Sequence, residues 1–305
     1  MVKDHKKKKA RKKIKKKPVP KKPVYVKKAV EEDVPDWKET KESEDEPRLS
    51  FWKHLELLKK HIIRSVAAVI GVTIFCFLFG IRWYPIYGYA IPYPYPTITG
   101  NISTMVFNKL RADLVPPDVQ IIMINPIEAI VTNLQIAIFI GILLGSVVIF
   151  REFGAFLAPA LKTEEKRVIM KLSLPALALF VSGCMFSYFL ITPFTFSFLY
   201  QFGSSMGIEK YLVVSDFIGF VMILVLGFGV IFELPLLMAA ITMTGLVTPD
   251  FWKKHWRIAV VIMIIIAGVI TPDTTGITQI IVVVPMIFLY VAGYAVSRRV
   301  YKGEE

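Results

Sequence analysis

The chain has 305 residues, 54% of them hydrophobic, with a formal net charge of +13 and a mean hydropathy of +0.55. That composition excludes an ordinary soluble domain and points to an integral membrane protein. The charge is no nucleic-acid signal: residues 1–28 hold fifteen Lys and Arg against one acid, Asp4, and leave the rest of the chain near −1.

Residues 1–49 read as a basic block followed by an acidic one, EEDVPDWKETKESEDEP. Both are too poor in apolar side chains to fold alone, so a disordered cytoplasmic tail drawn to anionic headgroups is expected. Its charged stretch is too long for the basic start of a signal peptide. SFWKHLELLKKHIIRS (50–65) reads as an amphipathic helix, with Ser50 as N-cap and Phe51, Leu55 and Leu58 on one face. It leads into the first of six apolar spans, expected at about 62–80, 129–150, 169–192, 214–243, 258–271 and 277–296. The fourth is long enough to tilt or bend, and the last two are short. Residues 301–305 should follow as a short cytoplasmic C-terminus.

Loop charges set the expected orientation. Arg151, Lys162, Lys166 and Arg167 follow the second span, Lys253, Lys254 and Arg257 the fourth, and Arg298, Arg299 and Lys302 the sixth. With the basic N-terminus these share one side, which the positive-inside rule makes cytoplasmic, with both termini. The opposite segment 81–128 is dense in Tyr and Pro (WYPIYGYAIPYPYP) and reads as a stiff outer cap with few regular hydrogen bonds. Asn101-Ile102-Ser103 within it fits the N-glycosylation pattern.

The chain has no GxxxxGK[ST], GxSxG or HExxH, so nucleotide, serine-hydrolase and zincin chemistry have no motif to rest on. His5 lies in the tail, and His54, His61 and His255 lie near expected span ends. No enzyme, metal or cofactor is expected. Cys76 and Cys184 sit in apolar runs and read as buried thiols. The conspicuous polar residue is Glu233 in VMILVLGFGVIFELPLLMAAIT, the lone charge in that run. A carboxylate there must face protein or water. Pro235 removes a backbone donor and clashes one turn back, so a kink near Ile231 and a polar notch beside Glu233 are expected. TPDTTGITQ (271–279) places Thr271, Asp273 and Gln279 at an outer membrane edge. On the basic side, adjacent Glu164 and Glu165 and, on the amphipathic helix, Glu56 could pair with local lysines or receive an arginine by a bidentate fork.

HLELLKKHII, NPIEAI, FREFGAFLAPALKTEEKR, FGVIFELP, TPD…Q…VVVP and AVSRR occur in the order seen in the TatC family, and about residues 50–300 resemble it. The resemblance implies an all-α polytopic membrane protein: six transmembrane helices in a cupped bundle, both termini cytoplasmic, in the cell membrane. It implies a receptor subunit of the twin-arginine translocase that binds folded substrates through signal peptides carrying paired arginines. Glu165 matches the arginine-binding acid of the first cytoplasmic loop, with Glu164 and Arg167 beside it and His54, Glu56 and Lys59 on the amphipathic helix. Single-span partners of the TatA and TatB types would dock near the fifth and sixth spans, contacting Glu233, Pro235, Thr271, Asp273 or Gln279. Glu128 matches an outer acid. The chain departs from the family in places. The acid expected at Leu57 stands at Glu56, about 100° around a helix. His61 and Lys59 replace arginines, Gln135 replaces lysine and Val147 replaces proline. A proton-coupled secondary transporter is the alternative, since such carriers also use a carboxylate at a broken helix, although no inverted repeat is evident.

Overall fold

The computed structural model describes residues 51–86, 89–157, 163–205, 207, 209–271 and 276–301. The expected tail, the Ser50 cap, the final residues after Tyr301, the 158–162 loop and Asp273 lie outside the described residues.

The amphipathic lead and the first span are one helix, α1 (Phe51–Leu78). A hairpin follows, β1 (Phe79–Ile86) with β2 (Tyr89–Pro96), then α2 (Ile102–Leu114) and β3 (Gln120–Ile122). The second span, α3 (Glu128–Leu157), outruns its expected end. The third is built from α4 (Thr163–Phe186), a π-helical turn at Ser187–Ile191 and α5 (Thr192–Ser205). After β4 (Tyr211–Val213), the fourth span divides into α6 (Val214–Ile231) and α7 (Leu234–Met243). Short α8 (Pro249–Lys254) precedes α9 (Trp256–Ile270) and α10 (Ile277–Val300). Among the described residues five helical stretches are long and apolar enough to cross a membrane, and Trp256–Ile270 is a shorter sixth.

Small residues let these helices approach closely. A Cβ on Gly141 of α3 would collide with Thr73 Oγ1 and stand 2.9 Å from the Val69 carbonyl oxygen of α1, and one on Gly145 would meet Val69 Cγ2 at 2.8 Å. Gly183 of α4 lies equally close to Phe228 of α6 and to Phe232 just past its end, and Gly293 of α10 to Pro235 and Met238 of α7. The core is centred on α6, where Phe217, Ile218, Val221, Leu224 and Phe228 are fully buried.

Three expectations about the segments between spans are corrected. The first concerns the Tyr/Pro-rich segment, which is a regular antiparallel hairpin pairing Phe79 with Pro96, Ile81 with Pro94 and Trp83 with Pro92. The prolines of β2 recur every second residue, so they fall on one edge of the ribbon, where no ladder donor is required. Next, residues 193–205 are not outer loop but α5. Pro193 cannot continue the α-helical ladder, and the π turn absorbs it, Thr192 N–H donating to Ser187 O. Finally, Asn101 does not fit a glycan acceptor, because it is 1% exposed. Its side-chain oxygen caps α2, accepting from Thr104 N–H at 2.9 Å, while Nδ2 donates to the Phe77 carbonyl at 2.7 Å and to Asn133 Oδ1 at 3.0 Å.

The α2 cap is tied down by two exposed carboxylates. The Tyr188 hydroxyl donates to Asp113, Lys109 Nζ donates to it at 2.9 Å, and together they hold its carboxyl below the usual range. Lys210 does the same for Asp118, beside the parallel pairing of β3 with β4. A folded-state value below the unfolded one stabilises above the unfolded pKa, about 3.9 for Asp, and is lost as pH falls through the folded value. Hydrogen exchange of α2 and β3 amides, corrected for intrinsic rates, should therefore accelerate below about pH 4 while α6 stays protected. Unchanged protection of α2 and β3 at pH 3 would remove these carboxylates as ties.

Candidate functional site

Two polar regions are separated along the helices. The first gathers where α1 starts, α3 ends and α4 starts. Glu164, Glu165 and Arg167 lie in the opening turns of α4, and the N-terminal location favours acids there. Their side chains, and that of His54, lie outside the described residues. Glu56 and Lys59 are exposed on α1, and α3 packs against both α1 and α4.

A carboxylate absent from the expected site lies in the same region. Glu152, in the last turns of α3, is 8% exposed. His61 Nδ1 of α1 lies 2.6 Å from Glu152 Oε2, Arg64 Nη1 lies 3.6 Å from the same oxygen, and the Phe156 ring packs edge-on to the imidazole at 6.3 Å. The sequence signal was a carboxylate (FREF) at the end of an apolar span, where it needs a cationic partner.

The second region is the break between α6 and α7. Ile231 is the last residue of α6 and Leu234 the first of α7, so the interruption falls where the Pro235 clash with the residue four back requires it. Phe232 N–H still reaches Phe228 O at 2.9 Å, and Glu233 N–H turns to Val230 O at 3.1 Å. Glu233 is partly buried, and its Oε1 is sealed from solvent without a hydrogen-bond partner among the described residues. One turn before it, Val230 ends the wall of an apolar groove of 430 Å³ between α3 and α6, which Gln135 also lines.

The other expected docking residues among those described are engaged within the chain. Pro235 is buried against Gly293. Thr271, 3% exposed, donates to Ala267 O at 2.9 Å. Gln279 Nε2 donates to Ile264 O at 2.6 Å and so joins α10 to α9. Glu128, read as an outer acid, joins the starts of α3 and α6: one oxygen accepts Ile124 N–H at 2.9 Å, the other the Ser215 N–H at 3.2 Å and the Ser215 hydroxyl. Cys76 and Cys184 are buried free thiols.

A family model described as "Sec-independent protein translocase protein (TatC)" matches residues 53–285. The chain belongs to the TatC family. A TatC protein of Cenarchaeum symbiosum (strain A) is 38% identical over 251 residues, which span 82% of this chain and 95% of that one. A TatC protein of Carboxydothermus hydrogenoformans is 30% identical over 247 residues, 81% of this chain and 91% of its own. The crystal structure titled "Twin Arginine Translocase Receptor- TatC" superposes with a TM-score of 0.67 at 28% identity, covering 81% of this chain and 99% of that one. As a TatC family member with several membrane-crossing helices, the chain is a protein translocase subunit and acts in transport.

Proposed function

We propose that the chain is the receptor subunit of a twin-arginine translocase, with both termini cytoplasmic. The observation that carries this is the superposition on a structure named as that receptor over 81% of the chain. The acids in the first turn of α4 and on the start of α1 support it, since a guanidinium is held by carboxylates through paired hydrogen bonds. In this reading Glu165 grips the arginine pair of the signal peptide, with Glu164 and Glu56 adding negative field and Arg167, Lys59 and His54 setting its limits. The signal's apolar stretch then lies along the membrane-facing helices. Single-span partners of the TatA and TatB types dock where Glu233 offers an unsatisfied oxygen. In the absence of any nucleotide motif, the transmembrane proton gradient drives export. The carrier alternative gives way to membership in a protein-translocase family.

The test uses the full chain in nanodiscs and a fluorescent signal peptide with an Arg-Arg or a Lys-Lys pair. The arginine peptide should bind at least about tenfold more tightly, because lysine lacks the planar fork. Equal affinities would overturn the receptor reading.

A further inference from the structure

The glycine contacts that hold α1 to α3 are confined to Val69 and Thr73. Toward the start of α1 the two helices flank an open groove of 330 Å³ lined by apolar side chains such as Leu58, Ile62, Val66 and Phe153. His61 and Glu152 line that same groove and bridge it at 2.6 Å. Together with Arg64, the bridge ties α1 to α3 along that groove through polar contacts. The two side chains are 15% and 10% exposed, so the bond is shielded from water.

We propose that Glu152 is a positioning residue whose clasp with His61 fixes the start of α1 against α3, and that this makes recognition of twin-arginine signals weaken as pH rises. The inference rests on the receptor reading above. Glu152 does not touch the signal; it sets where the α1 acid, Glu56, stands relative to the acids of α4. Histidine is the side chain whose charge ordinarily changes between pH 5 and 8, so a clasp built on one is open to loosening by pH. The imidazolium gives a charge-assisted bond to the carboxylate, whereas the neutral ring keeps at most an ordinary one. Among the described residues the charged groups facing His61 are Glu152 on α3 and Arg64 on its own helix. Arg64 is half-exposed and 3.6 Å from Glu152, so it retains only part of the grip once the ring is neutral. Lys60 and Arg151 are exposed.

The experiment titrates the Arg-Arg peptide against the full chain in nanodiscs between pH 6 and 8.5. Wild-type affinity should fall about fivefold across that range, the difference between a charged and a neutral hydrogen bond. His61→Arg should bind tightly and without that slope, since arginine stays charged throughout. Glu165→Gln should bind weakly at every pH. A pH-independent wild type, or a slope kept by His61→Arg, would overturn the proposal while a weak Glu165→Gln left the receptor reading standing. Glu165→Gln binding like wild type would overturn that reading instead. A second measurement needs no peptide. Spin labels on Lys60→Cys and Arg151→Cys, with Cys76 and Cys184 replaced by alanine, should report a distance that broadens with rising pH. In the His61→Arg background it should stay narrow, and an invariant distance in both would also overturn the proposal.

Discussion

Replacing Glu165 with glutamine is expected to weaken twin-arginine peptide binding by roughly 10- to 100-fold, the worth of hydrogen bonds to a charged group. Glutamine keeps the side chain's length and one acceptor oxygen but removes the charge and the second acceptor that a guanidinium fork requires. Glu165 lies in the first turn of α4, where a helix start accepts an uncharged polar residue. Glu164→Gln should cost less, because adjacent positions diverge by about 100° around the helix and only one can aim at a given ligand. Titration of the Arg-Arg peptide against both variants measures this, with circular dichroism to confirm the helices are intact. If Glu165→Gln bound as tightly as wild type, the arginine site would have to lie elsewhere.

What the sequence made legible, and what it did not, divides along physical lines. Apolar runs near bilayer length gave the six membrane segments, and Pro235 fixed the helix break to the residue, because a missing donor and a ring clash act within one turn. Pairings distant in sequence stayed hidden. The hairpin was disguised by prolines that normally exclude strands, and only its register shows the three of β2 on one edge. The 13 residues of α2 are amphipathic but too short and polar to read as a span, and the helix is anchored by Asn101, whose partners Phe77 and Asn133 come from other helices. The Asn-Ile-Ser triplet matched a surface motif, yet burial decides its use. Glu152 was visible as a residue but not as a site, since its meaning depends on His61, 91 positions away. GILLG (141–145) spells a close-packing motif in the sequence itself.

The contrast between Gly183→Ala and Glu233→Ala separates packing from docking. A Cβ at position 183 would sit 2.6 Å from the Phe228 carbonyl oxygen and 2.7 Å from Phe232 Cγ. The carbonyl belongs to the α6 backbone, so no side-chain rotation relieves the clash, and α4 and α6 must separate. Such overpacking costs about 1–3 kcal/mol, only partly offset by alanine's helix propensity. Phe232 immediately precedes Glu233, so the displacement also moves the carboxylate, and thermal stability and partner copurification should fall together. Glu233→Ala should behave differently. Its Oε1 is buried without a partner among the described residues, so truncation removes an uncompensated polar group. Thermal unfolding in detergent should show Tm unchanged or raised, while copurification of a TatA- or TatB-type partner and export both drop. A Glu233→Ala protein with a lowered Tm would mean that the carboxylate bonds within its own bundle. Normal copurification and export would remove it from the docking surface. A burial without a bond is tolerable in a membrane helix when a partner outside the chain supplies the missing donor, and these two substitutions test that condition from opposite sides.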